Sequence, residues 1–598
     1  MLLEFKDDLA EKLADDEFAL KWVRHRHSQM KKFRETYEDG WKEDYKQYMS
    51  YLDPRKQDWQ SRGFIPRTFD IVETILPRLV AGMFSTDPFF ALRPKDERQA
   101  ETMKLRTQVL QEQTENSLKL QRKSQEHWFR NALIFGTSPS MVSWDHQRRN
   151  VSFKIIDVMD WWCDPHATSM DDARDACHRV RVSVDDIKAK ARAGVYPLFT
   201  EESIKKLQGA KPTDFPSFER QQLTGKGGDV YEKADDRLVT LLEYWTPYRV
   251  ITCDESGQLL LRNVPNVLYM GRGMPYVLLR NHHLPEELYG MSVPTVVRNL
   301  QDQLNDIHNL AFDSRLMAMS KMFAAPRDLD LETVAIFPGA VFQMADPSLF
   351  RVIDIPDVGP SSDIAEKQIS SDIDRTVGVF DASRGQRGPA NETATGLQLI
   401  TQEANQRFAM LLSVYSQPVL DVMRKTDTLN QIWFQLPAMV RVREDQETTF
   451  IPMSEGDYDG EVDVVIASAS TLGNKDVQRM QFKDLVTTCA QVPQLDQRIN
   501  WDEMTKELID KYEIPNGQRL RKSPEQMQME QLQAQQMALG EGVPPGGQDQ
   551  QAGPARQPPK PGGVVPVPGS PPNNGTAMSA PLPIPGPEGN MRGRVPAM

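Results

Sequence analysis

The pattern of hydrophobic and polar positions predicts a mixed body of helices and strands over roughly the first 290 of 598 residues. Charged, amphipathic helices are predicted over residues 1–52, and an apolar helix follows in "FIPRTFDIVETILPRLVAGM". The stretch "KDERQAETMKLRTQVLQEQTENSLKLQRKSQEHWFRNALIFG" predicts one long helix that ends at Gly136. Alternation in "MVSWDHQRRNVSFKIIDVMDWWCDP" predicts a β-hairpin, and "RLVTLLEYWTPYRVITC", "LLLRNVPNVLYM" and "MPYVLLRNHH" predict further strands.

From Ser292 the spacing of apolar residues predicts a long amphipathic helix. Apolar or small side chains recur there in steps of three and four: Val293, Val297, Leu300, Leu304, Ile307, Ala311, Ser314 and Ala318. A short β-like insert with a turn at Pro338–Gly339 comes next. A second helix follows in "SSDIAEKQISSDIDRTVGVF", with Ser361 or Ser362 as its expected N-cap.

A third long helix begins after the loop "DASRGQRGPANET". Its apolar stripe consists of Leu397, Ile400, Ala404, Phe408, Leu411 and Tyr415. We expect Pro418 to kink this helix. Strand patterns return in "MVRVREDQETTFIPM" and "GEVDVVIASAS", and helices follow from 474 to about 512. Nearly half of residues 540–598 are Gly or Pro, which predicts a disordered tail.

Composition argues against a protein that binds nucleic acid tightly. The formal net charge is −13, whereas a protein that binds many phosphates is expected to be basic. A polyanion in transient contact remains compatible with this charge. Four well-separated cysteines favour a reducing compartment. The charged start "MLLEFKDDLAEK" and the lack of a long apolar run predict a soluble, intracellular protein that does not span a membrane.

The Gly- and Arg-rich loop does not match a nucleotide-binding motif. It lacks the Gly-Lys-Ser/Thr ending with which a P-loop holds phosphates, and it follows a predicted helix rather than a strand. Two interpretations remain, a solvated surface loop or a mobile loop that offers Arg384 and Arg387 to a polyanion.

Candidate catalytic and metal-binding residues do not form a known pattern. The residues that suggest a metal are Cys163, His166, Asp171, Asp172, Cys177 and His178. Their spacing matches no compact zinc pattern, and adjacent residues of a strand point to opposite faces. No GxSxG, HExxH or paired-carboxylate motif has a supporting context. We therefore predict no catalytic residue, no metal and no cofactor.

The order of these parts resembles the portal protein, or head-to-tail connector, of tailed bacteriophages over roughly residues 20–520. Four stretches in the correct order carry the resemblance: "DIVETILPRLVAGMFSTDPFFALRP", "IIDVMDWWCDPHATSMDDARDACHRVRVSVDDIKA", "LYGMSVPTVVRNLQDQLNDIHNLAFDSRLMAM" and "NETATGLQLITQEANQRF". The third looks like a stem helix and the fourth like the helix after a tunnel loop.

The resemblance implies an α+β portal fold. Its parts are a wing (1–291), stem helix 1 (292–322), a clip (323–358), stem helix 2 (359–380), a tunnel loop (381–392), a long kinked helix (393–436), wing strands (437–473), crown helices (474–522) and a disordered tail (523–598). Portal crowns often continue in helices to the C-terminus, so the Pro/Gly-rich tail leaves the extent of the crown open.

The resemblance also implies roles for named residues. Arg384 and Arg387 are expected to contact DNA in the channel, and Leu300, Leu304 and Ile307 to pack the stem. Acids expected to line the channel and repel phosphate are Asp363, Glu366, Asp372 and Asp374. The clip residues expected to dock other proteins are Ile336, Phe337, Pro338, Gly339 and Phe342.

A portal forms a ring, usually of twelve subunits, at one capsid vertex, and does no chemistry itself. The implied partners are other copies of the chain, the terminase large subunit, a tail adaptor, the major capsid and scaffolding proteins, and double-stranded DNA. Two other classes stay open at this point. One is another head-tail assembly protein, an adaptor or a scaffold, and the other is a metal-dependent nuclease.

Overall fold

The chain is described from a computed structural model. The described residues are 9–51, 60–95, 102–200, 202–203, 238–269, 273–319, 322–324, 351–353, 359–378, 394–444, 447–454, 458, 460, 462–466, 482–487, 489, 501 and 504–505. Those up to Met504 belong to one compact unit, while Thr505 belongs to a second that reaches Met598. The architecture below is that of the first unit.

Helices alternate with strands in the N-terminal half and dominate after residue 292. They are α1 (Asp16–Tyr48), α2 (Arg67–Met83), α3 (Met103–Glu112), α4 (Leu120–Lys123), α5 (Phe129–Phe135), α6 (Val184–Arg192), α7 (Val293–Met319), α8 (Gly359–Val377) and α9 (Ala394–Trp433). The long helices predicted after Ser292 are therefore present. Helix α8 begins at Gly359, so the predicted N-caps Ser361 and Ser362 lie inside its first turn, and α9 continues through Pro418.

The strands pair antiparallel in several small sheets. They are β1 (Phe90–Pro94), β2 (Thr137–Asp145), β3 (Asn150–Ile155), β4 (Trp161–Cys163), β5 (Ala176–Ser183), β6 (Leu238–Trp245), β7 (Arg249–Asp254), β8 (Leu260–Pro265), β9 (Tyr276–Arg280), β10 (Met322–Ala324), β11 (Arg351–Ile353), β12 (Ala438–Glu444), β13 (Glu447–Met453) and β14 (Val462–Ile466). The largest has the order β4-β5-β6-β7-β8, and a second has the order β3-β2-β9. The remaining pairs are β1-β14, β10-β11 and β12-β13. The mixture of helix and sheet agrees with the predicted α+β class.

Helix α1 covers the five-stranded sheet. Asp15 caps it by accepting a hydrogen bond from the Phe18 N–H at 3.1 Å. Ala19, Val23 and Met30 share a buried cluster with side chains of the sheet, so the apolar side of this charged helix faces inward. None of the helices in the described part of the chain has the length and hydropathy needed to cross a lipid bilayer.

The main core joins the N-terminal helices to α7 and α9. Leu304 of α7 and Tyr415 of α9 are fully buried in it, together with Leu79 and Phe129. The Phe129 and Tyr415 rings meet edge to face at 5.1 Å. One continuous core therefore connects the sheet-containing body to the long helices.

The single long helix predicted before Gly136 is wrong, because the segment breaks at Lys119. Two short π-helical stretches flank α4, and Lys119 has the left-handed φ of 50°. Gln113, where the first π-stretch begins, exchanges two amide hydrogen bonds with Asn430 of α9 at 2.7 and 2.9 Å. The first π-stretch therefore begins where the segment contacts a residue more than three hundred positions away. The predicted end at Gly136 is correct, since this residue has φ 75° and a Cβ there would meet Gly290 O at 2.1 Å.

Candidate functional site

The base of α7 is fixed to α1 by a buried carboxylate. Ser292 caps α7, because its Oγ accepts from the Thr295 N–H at 2.9 Å. Asp44 of α1 accepts from Ser292 Oγ at 2.7 Å and from Arg298 Nη2 at 2.5 Å. Burial raises the pKa of the Asp44 carboxyl, against these hydrogen bonds, which favour its charged form. The long helix therefore starts from a defined point on the body.

The residues predicted to pack the stem lie on the inner side of α7. Leu304 is completely buried in the main core, and Leu300 is half-buried against the same core. Ile307, one turn further along, is half-buried. These contacts are made within one chain, and packing between subunits stays a prediction.

A second, polar stripe on α7 holds the segment 61–65. We call it the polar ladder, and its members, spaced four residues apart, are Gln301, Asn305, Asn309 and Asp313. All four are buried, and each hydrogen-bonds the backbone of a residue in 61–65. Apolar periodicity does not reveal this stripe, because all four of its residues are polar.

The side chains of the polar ladder bind backbone N–H and C=O groups, as a neighbouring strand would in a β-sheet. Asn309 accepts from the Gly63 N–H at 2.6 Å and donates to the Gly63 carbonyl at 3.0 Å. Asp313 accepts from the Ser61 N–H at 2.7 Å, and Gln301 donates to the Ile65 carbonyl at 2.7 Å. Alternate residues of an extended segment are therefore bound by successive turns of one helix, which ties the connection before α2 to α7.

All four acids predicted to line a channel lie near a basic side chain of the same chain, and Asp363 and Asp374 form close ion pairs with arginines of other helices. Asp363 accepts from Arg315 at 2.7 Å, Asp374 accepts from Arg67 at 2.7 Å, and Glu366 lies 3.3 Å from His308 Nδ1. The fourth, Asp372, lies 4.0 Å from Arg375. A channel-lining role for these acids stays a prediction, and the pairs with Arg315 and His308 fix α8 to α7.

Large apolar side chains are exposed along the three long helices. They are Leu310, Phe312, Leu316 and Met319 of α7, Ile364 of α8 and Met410 of α9. At 3.6 residues per turn Leu310 lies on the opposite side of α7 from Phe312 and Met319, so these side chains do not form one patch. Single exposed apolar residues are ordinary, and the number of large ones on these helices favours contacts with other protein chains.

Several predicted site residues lie outside the described residues. These are Arg384 and Arg387 of the predicted tunnel loop and the clip residues Ile336, Phe337, Pro338, Gly339 and Phe342. Strands β10 and β11 bracket the clip region and pair antiparallel, Met322 opposite Ile353. Ala324 and Arg351 are therefore neighbours, so the two ends of the segment between them lie side by side.

Cys177 and His178, two of the residues considered for a metal, lie on opposite faces of the sheet. Cys177 is buried on the α1 side of β5, near Met30, while the adjacent His178 places Nδ1 2.8 Å from the Tyr276 hydroxyl. The predicted opposite orientation of these two side chains is confirmed. Within the described ranges, no group of three or more His, Cys, Asp or Glu side chains has the geometry to hold a metal ion.

Comparison with protein families decides the identity. Residues 146–541 match the family model described as Phage SU10 portal protein, which covers about two thirds of the chain. The chain belongs to this family. Comparison with curated proteins finds no match. Portal proteins of phages are structural rather than enzymatic, and membership implies an oligomeric ring at a vertex of a phage capsid.

Proposed function

We propose that twelve copies of this portal protein form a closed ring that is the conduit for genome packaging and ejection. The family match supports the ring. The observation that carries the proposal within the chain is the set of three long helices with exposed apolar side chains, anchored in the main core. Head-to-tail contacts between identical subunits form a ring when the rotation between neighbours closes, and the exposed apolar side chains of these helices are suited to make such contacts.

The channel lets DNA slide because it binds phosphate weakly. Arg384 and Arg387, in the loop 381–392, are the positive contacts in this proposal. Asp363, Glu366, Asp372 and Asp374 contribute negative potential nearby, which the arginine pairs of Asp363 and Asp374 reduce in part. A net charge of −13 agrees with a channel through which DNA slides without being held. Tight binding of DNA would need many contacts between basic side chains and phosphates.

The clip, residues 323–358, is the proposed docking site of other proteins. The terminase large subunit binds there during packaging, and a tail adaptor replaces it afterwards. The pairing of β10 with β11 supports this assignment. It brings together the two ends of the segment that connects the C-terminal end of α7 to the N-terminal end of α8. The wing contacts the major capsid and scaffolding proteins in the virion, after assembly in the host cytoplasm.

Electron microscopy of the purified full chain tests the proposal. We expect rings with an axial hole, and a mass by light scattering close to twelve times 68.1 kDa. A monodisperse monomer at micromolar concentration would count against the ring. Filaments or solid particles would instead favour a scaffold or an adaptor.

A further inference from the structure

The side of α7 turned away from α8 carries two acids and one leucine in line. We call Asp302, Asp306 and Leu310 the α7 outer stripe; they are spaced four residues apart, and all three are exposed. At 3.6 residues per turn this spacing keeps them on one face. His308 and Arg315, which contact α8, lie on the opposite side of the helix.

The exposed side of α8 carries one isoleucine and two bases. We call Ile364, Lys367 and Arg375 the α8 outer stripe, and all three are exposed. Ile364 lies nine residues before the buried Ile373, which is about two and a half turns and places it on the opposite face. The acids Asp363 and Glu366, in contrast, turn toward α7. The two outer stripes are therefore of opposite charge and lie on different sides of the helix pair.

The two stripes also lie at matching heights. The contacts His308–Glu366 and Arg315–Asp363 show that α7 and α8 run antiparallel and fix their register. In that register Leu310 is level with Ile364 to within about one turn, or 5 Å. By the same relation Asp306 is level with Lys367, and Asp302 is level with Arg375.

A ring turns this match into a contact. Where the helices run along the ring axis, rotation from one subunit to the next leaves every residue at its own height. A contact between α7 of one subunit and α8 of the next then has the same register as the pair within one chain. We propose that the α7 outer stripe packs against the α8 outer stripe of the next subunit. Leu310 then meets Ile364, while Asp306 faces Lys367 and Asp302 faces Arg375. The inference rests on the proposed ring and names the surfaces that close it.

The charges around Asp302 agree with a basic partner from outside the chain. Partial burial of the carboxyl group, together with the nearby carboxylates of Asp306 and Glu43, raises the pKa of Asp302, although Arg298 opposes this. A base from the next subunit would relieve the repulsion among these acids. Arg375 is suited to this, since three quarters of its side chain is exposed.

Charge reversal tests the contact directly. Asp306→Lys alone and Lys367→Glu alone each place like charges across every interface, and we expect a loss of ring of about tenfold or more on a sizing column. The double variant Asp306→Lys with Lys367→Glu restores opposite charges and should restore rings. A one-to-one mixture of the two single variants should also form rings, because alternating subunits make every interface attractive.

A cysteine pair provides an independent measurement. Leu310→Cys with Ile364→Cys should form disulfides between subunits on mild oxidation, giving a series of covalent oligomers on a non-reducing gel. Either cysteine alone should not, and the four native cysteines are buried. Asp39→Lys, which reverses a highly exposed acid on α1, is the control for a general charge effect.

The outcomes separate this inference from the proposed ring. If wild-type protein forms no ring, the proposed function fails. If wild-type and both single reversals form rings equally well, and the cysteine pair does not cross-link subunits, the ring stands and this contact is wrong. If the single variants fail alone but assemble when mixed, the contact is confirmed, and the same result shows that each variant is folded.

Discussion

His27 of α1 has its ring edge against the indole of Trp162, with a centroid separation of 4.8 Å. Burial, together with the nearby charges of Lys31, Arg34 and Arg179, lowers the pKa of His27 to about 4. Its Nε2 is buried and has no hydrogen-bond partner among the residues that the structure describes. The folded protein therefore keeps this imidazole neutral at a pH where an unfolded chain would protonate it, since the unperturbed pKa is about 6.5.

The free energy of unfolding should consequently fall as the pH drops from about 6.5 to about 4. Over that window the unfolded chain binds a proton that the folded chain excludes, and the free energy of unfolding should fall by about 3 kcal/mol in total. His27→Phe should remove this part of the slope, as measured by denaturant unfolding at several pH values. His25→Phe, at an exposed position of the same helix, is the control. Identical slopes for wild-type and His27→Phe would show that His27 does not titrate as described.

At the scale of elements, the polar ladder should stabilise the connection between α1 and α2. Asn309→Ala removes both hydrogen-bond partners of the half-buried Gly63 backbone, and a buried group left unpaired costs up to about 3 kcal/mol. Because water can reach part of this backbone, we expect a loss of about 1–3 kcal/mol in the free energy of unfolding, measured by denaturant titration. Gln303→Ala, on an exposed face of the same helix, should change stability by less than about 0.5 kcal/mol. Equal stability of both variants would mean that the segment 61–65 is held by other contacts.

The same helix shows how far the sequence predicts structure. Apolar periodicity is a local property, so the helix that begins at Val293 and the buried positions Val297 and Leu304 could be predicted. Asn305 and Asn309 look like solvated residues in the sequence, because their partners lie some 240 residues earlier. Nothing local distinguishes a polar side chain that faces water from one that binds a distant backbone.

The strands also have some features that local sequence predicts and others that depend on distant residues. The alternation around Cys177 predicted which way neighbouring side chains point, and this depends only on strand geometry. The pairing of β1 with β14, Phe90 opposite Ile466, joins strands from the two ends of the folded unit and has no local signal. Membership in the portal family could be inferred from the order of elements, whereas the ion pairs of Asp363 and Asp374 could not, since their partners come from other helices.

At the scale of the whole molecule, a buried ion pair connects α3 to α9. Arg106 donates to both carboxylate oxygens of Asp427, at 2.8 and 2.5 Å, and also to the Gly460 carbonyl at 3.0 Å. Its guanidinium is fully buried and lies over the Tyr458 ring. Three segments that are distant in the sequence therefore meet at one arginine.

Asp427→Ala should be strongly destabilising, because it leaves this arginine buried without a counter-ion. The expected loss is about 3–5 kcal/mol in the free energy of unfolding. The double variant Arg106→Met with Asp427→Leu should recover much of it, since apolar residues can replace a buried pair. Arg424→Ala, which breaks a half-exposed pair with Asp421, should cost less than about 1 kcal/mol. A similar small loss for Asp427→Ala would mean that water reaches Arg106.

The loop 381–392 is proposed to lie in the DNA channel of the ring. Arg384 and Arg387 are proposed to touch DNA phosphates in passing, without a part in the core. Arg384→Ala with Arg387→Ala should therefore leave the melting temperature and ring assembly unchanged, while it lowers packaging efficiency or the retention of packaged DNA. The effect should be largest at low ionic strength, because counterion release and screening weaken phosphate contacts as salt rises. A matched pair, Arg148→Ala with Arg424→Ala, removes two exposed charges from the body and should package normally. If the loop variant packages and retains genomes like wild-type protein at every salt concentration, the loop is only a connector between α8 and α9.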